Sequence, residues 1–250
     1  MQNSRNFMKA DFTKLQGIKT DQMLDLPQPP LEKPAAENAE IIDLIPVENI
    51  KIKKNNLQEN IFNRRSHRIF TKEALTLEEL SFLLWASQGV KEVITRDDKA
   101  YATLRTVPSA GARHPFETYL VVHNVETLKP GLYRYLAIGH KLVFLKEIED
   151  QPKKMTDAAL GQEFAGKCAV VFIWAMIAYR AEWRYHLVAH KAALLDAGHV
   201  CQNLYLACEG IGAGTCAIAA YDQEKTDDLI GVDDIDEFSI YMAPVGKPGN

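Results

Sequence analysis

Apolar and polar positions divide the chain into an amino-terminal stretch with little periodicity and a remainder of alternating helical and strand patterns. Residues 1–55 read as an extended arm with little core of its own. Its middle, Leu26 to Pro34, is proline-rich and predicts an extended conformation. The apolar run Ile41 to Ile45 offers a docking segment for this subunit or another. Residues 56–250 read as one folded domain, opened by a short helix from Asn56 to Phe62. Thr76-Leu-Glu-Glu79 forms a capping box, and Leu77, Leu80, Leu83 and Leu84 follow at helical spacing up to a stop near Gly89. Arg96 to Arg105 is polar and predicts a loop. Thr118 to His123 predicts a strand, and Leu132–Leu136 with Leu142–Leu145 predict a hairpin across Gly139-His140. Ala169 to Met176 is apolar without interruption, as a strand buried on both faces requires. His186 to Glu209 predicts a long helix, apolar on most sides, suited to a core or a dimer seam. Asp222–Ile230 predicts a short helix and Phe238–Met242 a last strand.

Composition adds bounds. The 250 residues are 47% hydrophobic and 25% charged, with a net charge of −4. Nothing in that balance calls for nucleic acid or an anionic membrane as a partner. No signal peptide or bilayer-length apolar run is legible, and the four cysteines form no C-x-x-C or disulfide framework. A reducing, cytoplasmic setting is the expectation.

Against this mildly acidic background, Arg64-Arg65-Ser66-His67-Arg68 concentrates cationic groups and a hydroxyl. In an extended segment Arg64, Ser66 and Arg68 point the same way, and their forks and hydroxyl suit a phosphate. A solvated basic turn is the alternative. Pro108-Ser109-Ala110-Gly111-Ala112 is a turn whose small residues let backbone lie against a flat aromatic ligand. Gly246-Lys247, at a strand exit, can bring backbone N–H and ammonium to a phosphate. Gly210-Ile-Gly-Ala-Gly is not a dinucleotide fingerprint, because it ends a helix and has the wrong spacing. His186, His190, Asp196 and His199 could share a metal only in principle, and no metal is expected. Cys201 and Cys208 sit seven apart on an apolar helix and read as packing, and no Gly-x-Ser-x-Gly elbow is present.

These segments, with Asp196-Ala-Gly-His-Val-Cys-Gln-Asn-Leu204 and Val245-Gly-Lys-Pro248, resemble in order the nitroreductase superfamily of FMN enzymes, and within it the SagB-type branch that includes azoline dehydrogenases. The likeness covers residue 57 onward. It implies an α+β fold, a mainly antiparallel sheet flanked by helices, in an intertwined homodimer with FMN at the interface. Arg64, Arg65, Ser66 and Arg68 would then hold FMN, with Arg64 on the phosphate and Arg68 near the ring's N1/O2 edge. Pro108, Ser109, Ala110, Gly111 and Ala112 would pack beside the isoalloxazine, and Gly246 and Lys247 would return to the phosphate. Ala219 and Ala220 stand where many relatives have Glu-Gly, and Ala112 where many have Asn, so substrate preference does not transfer. The implied reaction moves hydride from NADH or NADPH through flavin N5 to a nitroaromatic, quinone or similar small acceptor, with no protein acid or base. A peptide or heterocycle dehydrogenase using oxygen is the second reading. Arg184-Tyr185 is the nearest match to the Lys-Tyr base pair of azoline dehydrogenases, and an arginine does not deprotonate usefully. A non-catalytic flavin-binding or interaction protein is the third.

Overall fold

An eight-residue apolar strand needs cover on both faces, and the fold supplies it with helices above and below one sheet. The computed structural model describes residues 2–9 and 12–249. In chain order they form α1 (Gln2–Phe7), β1 (Ile41–Asp43), α2 (Leu57–Asn63), α3 (Leu77–Gln88), β2 (Val90–Arg96) and β3 (Lys99–Arg105). Then follow β4 (Phe116–Val122), β5 (Gly131–Leu136), β6 (Lys141–Lys146), α4 (Gln151–Ala158), α5 (Phe164–Lys167) and β7 (Val170–Ile177). The chain finishes with α6 (Ala178–Tyr185), α7 (Ala189–Ile211), β8 (Gly214–Thr215), α8 (Gln223–Ile230) and β9 (Glu237–Gly246).

The main sheet runs β1-β6-β5-β4-β7-β9-β8, and each neighbouring pair is antiparallel. The protein is thus α+β. Strand β7 lies between β4 and β9, with Phe172 opposite Leu120 and Ala243. Its side chains alternate between two cores. Val170, Phe172, Trp174 and Met176 pack with Leu80, Leu83 and Leu84 of α3 and Val200 and Leu204 of α7. Val171, Ile173 and Ala175 pack with Met155 of α4 and Ile230 of α8. Helix α7 is therefore fixed by the sheet on one side, and whatever it carries is placed by the core.

Three local expectations are corrected. The polar stretch Arg96–Arg105 is strand, not loop: β2 and β3 form a separate hairpin closed by Asp97 and Asp98. Both turn residues have positive φ, as a two-residue hairpin turn demands, without the Asn-Gly or Asp-Gly pair that would announce it. The long helix expected over His186–Glu209 is α7, which begins at Ala189, and a further helix, α6, precedes it unannounced. Helix α6 ends at Tyr185, and His186 takes φ 45° and ψ −126°, breaking the ladder before α7 begins. The last strand extends past Met242 through Pro244 to Gly246, since a proline carbonyl still accepts bonds, here from the Thr215 hydroxyl at 2.8 Å.

The amino-terminal stretch lies along the domain. Ile41–Asp43 adds the sheet's edge strand against β6. Ahead of it, three buried arginines bond carbonyls of the proline-rich segment. Arg180 Nε donates to Pro30 O at 2.8 Å, Arg134 Nη2 to Pro34 O at 2.9 Å, and Arg105 Nη2 to Leu31 O at 3.5 Å. Glu117 balances that charge: Arg180 Nη2 lies 2.6 Å from one carboxylate oxygen and Arg134 Nη1 3.7 Å from the other. Among the described residues, no helix is long and apolar enough to cross a membrane.

Candidate functional site

The arginine stretch is positioned by α2, by β8 and by the carboxyl end of β9. Asn56 caps α2 by accepting from the Gln58 and Glu59 N–H groups, and the helix stops at Arg64, whose backbone turns extended. The chain then runs alongside β8 and the exit of β9. His67 N–H donates to Thr215 O at 2.9 Å, Thr71 N–H to Lys247 O at 2.9 Å, and Gly249 N–H to Ile69 O at 2.9 Å. Two glycines permit this approach. A Cβ on Gly214 would lie 2.7 Å from the His67 ring, and one on Gly246 3.0 Å from Phe70. Residues 64–70 and 246–249, far apart in sequence, thus lie side by side within one chain.

Tyr205 of α7 organises the polar side of this segment. Its hydroxyl accepts from the Ala217 N–H at 2.9 Å and shares a 2.9 Å hydrogen bond with Ser66 Oγ. The Arg64 guanidinium sits over its ring, 5.3 Å from the centroid. Arg64 is half-buried, while Arg65, Ser66 and Arg68 are exposed. None of the three arginines makes an ion pair among the described residues. Burial first, and Arg65 second, hold the His67 imidazole below its usual range, so the segment is cationic without it. Unpaired guanidiniums beside an oriented hydroxyl are a donor set that fits a phosphate. Sequence reading missed Tyr205, which appears there only as one aromatic on an apolar helix.

Lys247 departs from expectation. Its ammonium, 7% exposed, bonds Glu79 Oε1 at 2.5 Å, inside the capping box of α3. Glu79 is held below its usual pKa, since bonds from Lys247, Thr76 and Lys53 outweigh its burial. What the 246–249 stretch gives the arginine segment is backbone. Ala219 and Ala220 are exposed just beyond Ala217, where Ile218 bridges Met242 and the Gln162 amide donates to Ala220 O at 2.9 Å.

The second group of residues sits elsewhere on α7. Asp196, buried, accepts from Ser109 Oγ at 2.6 Å and from the Ala110 N–H at 3.0 and 3.2 Å. Burial raises its carboxyl above the usual range, against the pull of those bonds. His114 N–H donates to Ser109 Oγ at 2.9 Å, tightening the turn. Gly111 and Ala112 follow with φ 57° and 53°, a kink that leaves Gly111 exposed beside Pro108. Against Gly111 lie the Tyr185 hydroxyl and the Arg184 side chain, 2.5 and 2.6 Å from where its Cβ would be. Asp196 and Tyr205 are nine residues apart, about 13 Å along the helix and about half a turn round it. The structure brings the arginine stretch to Gly246-Lys247, and it holds the Pro108–Ala112 turn apart on another face of α7. His190, considered as a metal ligand, instead meets Glu182 at 2.7 Å, and no metal-competent cluster occurs among the described residues.

The nitroreductase family profile matches residues 61–247. A Methanocaldococcus jannaschii protein with a provisional nitroreductase name, MJ1384, is 32% identical over 206 residues, covering 82% of this chain and 96% of its own. The microcin B17-processing protein McbC of Escherichia coli is 26% identical over 121 residues, covering 47% of this chain and 44% of McbC. Among solved structures, a provisionally named nitroreductase from Anabaena variabilis superposes with TM-score 0.75 at 24% identity, covering 98% of this chain. This chain spans 45% of that one. The E. coli microcin synthetase McbBCD complex with truncated pro-MccB17 gives TM-score 0.62 at 20% identity, covering 86% of this chain and 80% of the matched one. At such identities the two structures show a shared fold.

Proposed function

Because the chain belongs to the nitroreductase family, whose members are oxidoreductases, we propose that it uses FMN to pass hydride from NADH or NADPH to a small nitroaromatic or quinone acceptor in a ping-pong cycle. The observation that carries this reading is the cradle around residue 66: unpaired guanidiniums with Ser66 and Arg64 both set by Tyr205. Arg64 and Ser66 hold the phosphate, and Arg65 and Arg68 add field and reach the ring edge. The backbone of Gly246 and Lys247 fixes the segment from behind, and Ala219 and Ala220 leave the neighbouring surface open. The Ser109–Ala112 turn, locked by Asp196, packs against the ring plane. When bound, the flavin supplies the hydride-accepting and hydride-donating atom, so the protein's part is position and electrostatics.

The opposed placement of Tyr205 and Asp196 on α7 supports a site completed by a second copy of the chain. Leu194, Leu195, Gly198, His199 and Gln202 form an exposed stripe on α7 with i, i+4 spacing, and Leu57, Ile61 and Phe62 of α2 are exposed as well. Phe62 is 88% accessible, an unusual position for phenylalanine on a monomer surface. A homodimer covers both.

One observation favours the second reading. Arg184 and Tyr185 meet the turn at Gly111, so the Tyr185 hydroxyl, though not the arginine, would be available to a dehydrogenase acting on a peptide or heterocycle with oxygen as acceptor. Anaerobic mixing decides between them. Fast bleaching of bound flavin by NADH or NADPH supports the reductase, and a flavin inert to both supports the dehydrogenase. Protein that stays colourless after incubation with FMN sinks either.

A further inference from the structure

Beside the ring turn lies a second cationic group that the cofactor reading does not use. Tyr101 of β3 is its centre. The Arg96 guanidinium stacks 3.7 Å from the Tyr101 ring centroid, and Arg113 lies 5.1 Å from it and 5.5 Å from the Trp183 ring. Arg184 reaches the Tyr101 hydroxyl with one long bond of 3.4 Å, while its Nε crowds Gly111. Arg113 is tied down by bonds to Gly111 O at 3.1 Å and Tyr101 O at 3.2 Å. Asp25 and Asp97 line the adjoining cleft, yet among the described residues no carboxylate pairs with Arg96, Arg113 or Arg184.

That is unlike the buried pair behind the proline-rich segment. Arg134 and Arg180, each 3% exposed, share Glu117. Desolvated charge without a counter-ion is costly, and proteins ordinarily pair it. Arg113, 4% exposed, is instead pushed down from its usual pKa by burial, with Arg184 and Arg96 acting the same way and only tyrosine hydroxyls opposing. Arg184, half-buried and with most of its donors uncommitted within the protein, is the member free to turn towards a ligand.

We propose that the molecule approaching the Ser109–Ala112 turn carries an acid group, carboxylate or phosphate, and that Arg184 binds it, with Arg113 and Arg96 reinforcing the field. This rests on the reading that the turn flanks the reacting ring. The acid group has two sources, the acceptor itself or the phosphates of the nicotinamide dinucleotide.

The test is calorimetric titration of FMN-loaded and flavin-free protein with 4-nitrobenzoate, 4-nitrobenzyl alcohol and NADP+, using wild type, Arg184→Gln and Arg184→Lys. Loss of a charge-assisted bond weakens an anion on the order of tenfold or more in Arg184→Gln. Arg184→Lys recovers part of that loss, and the neutral alcohol binds all three proteins equally. A loss confined to 4-nitrobenzoate assigns the acid to the acceptor, and a loss confined to NADP+ assigns it to the dinucleotide. The proposal is overturned if neither anion binds wild type at millimolar concentration, if Arg184→Gln binds both as wild type does, or if the alcohol weakens in parallel. Should the protein take up no FMN, the functional reading fails separately, and the flavin-free titration still decides the anion site.

Discussion

Tyr205→Phe removes one oxygen from the hub of the arginine cradle and leaves its ring. In the wild type that hydroxyl accepts from Ala217 N–H and bonds Ser66 Oγ, both at 2.9 Å. Each such bond contributes about 1 kcal/mol net, and the Ser66 hydroxyl, being exposed, regains water when its partner goes. Ala217 is half-buried, and its orphaned N–H adds part of a desolvation cost of about 1–3 kcal/mol. The fold should therefore lose about 1–2 kcal/mol, well inside what a domain of this size tolerates. The Arg64–ring contact survives, since phenylalanine keeps the face that the cation uses. What changes is the order of Ser66 and its neighbours before FMN arrives. An ordering cost of about 1 kcal/mol corresponds to a Kd about five- to tenfold weaker. Urea denaturation gives the first quantity and quenching of FMN fluorescence the second. Unchanged FMN affinity with the expected stability loss would mean that Tyr205 merely packs, and the cradle argument would be wrong.

Glu117→Gln leaves Arg134 and Arg180 facing each other without their shared carboxylate, and should cost about 3–5 kcal/mol in chemical denaturation, with limited proteolysis near Pro30 rising as the proline-rich segment loosens. An effect below about 1 kcal/mol would show that the Pro30 and Pro34 carbonyls alone satisfy those guanidiniums. His114 and His123 are held neutral by burial, with pKa values pushed down to about 3 and about 4. The unfolded chain therefore takes up protons first as pH falls below about 6.5, and stability drops from there towards about pH 4. At pH 5 each histidine should remove about 2 kcal/mol. Denaturation midpoints at pH 8 and pH 5 check the total, and His123→Gln should flatten the slope by its share. Lys247→Met should destabilise the protein through the uncompensated Glu79 while leaving FMN affinity within about twofold, whereas a large loss of FMN would return the ammonium to the phosphate.

The elements legible in the sequence were those fixed by one local cause. Thr76 and Glu79 cap α3 reciprocally, as their spacing requires. The apolar run from Ala169 to Met176 suits a strand covered on both faces, and β7 is buried at every position but its last. The β2–β3 hairpin was not legible. It stands apart from the main sheet, its exposed faces carry no clean alternation, and its turn is made by two aspartates. Nor was α6 ahead of His186, whose eight residues include two arginines and a glutamate and carry no capping side chain. At the site, Arg64, Ser66 and Ser109 could be singled out by residue type. Their supports could not, because Tyr205, Asp196 and Glu79 act across 139, 87 and 168 residues of sequence. Lys247 illustrates the cost of that blindness: a lysine beside a glycine suits a phosphate equally well until its buried glutamate is known.

The central claim is that guanidiniums and Ser66 hold a phosphate. It is tested most directly by the ratio of FMN to riboflavin affinity, since the two ligands differ only in that group. Wild-type protein should bind FMN at least about a hundredfold more tightly than riboflavin, and added salt should shrink the difference. Arg64→Ala, folded by circular dichroism, should bring the two affinities within about tenfold of each other. Equal affinity for both flavins in the wild type, or a ratio untouched by Arg64→Ala, would contradict the account.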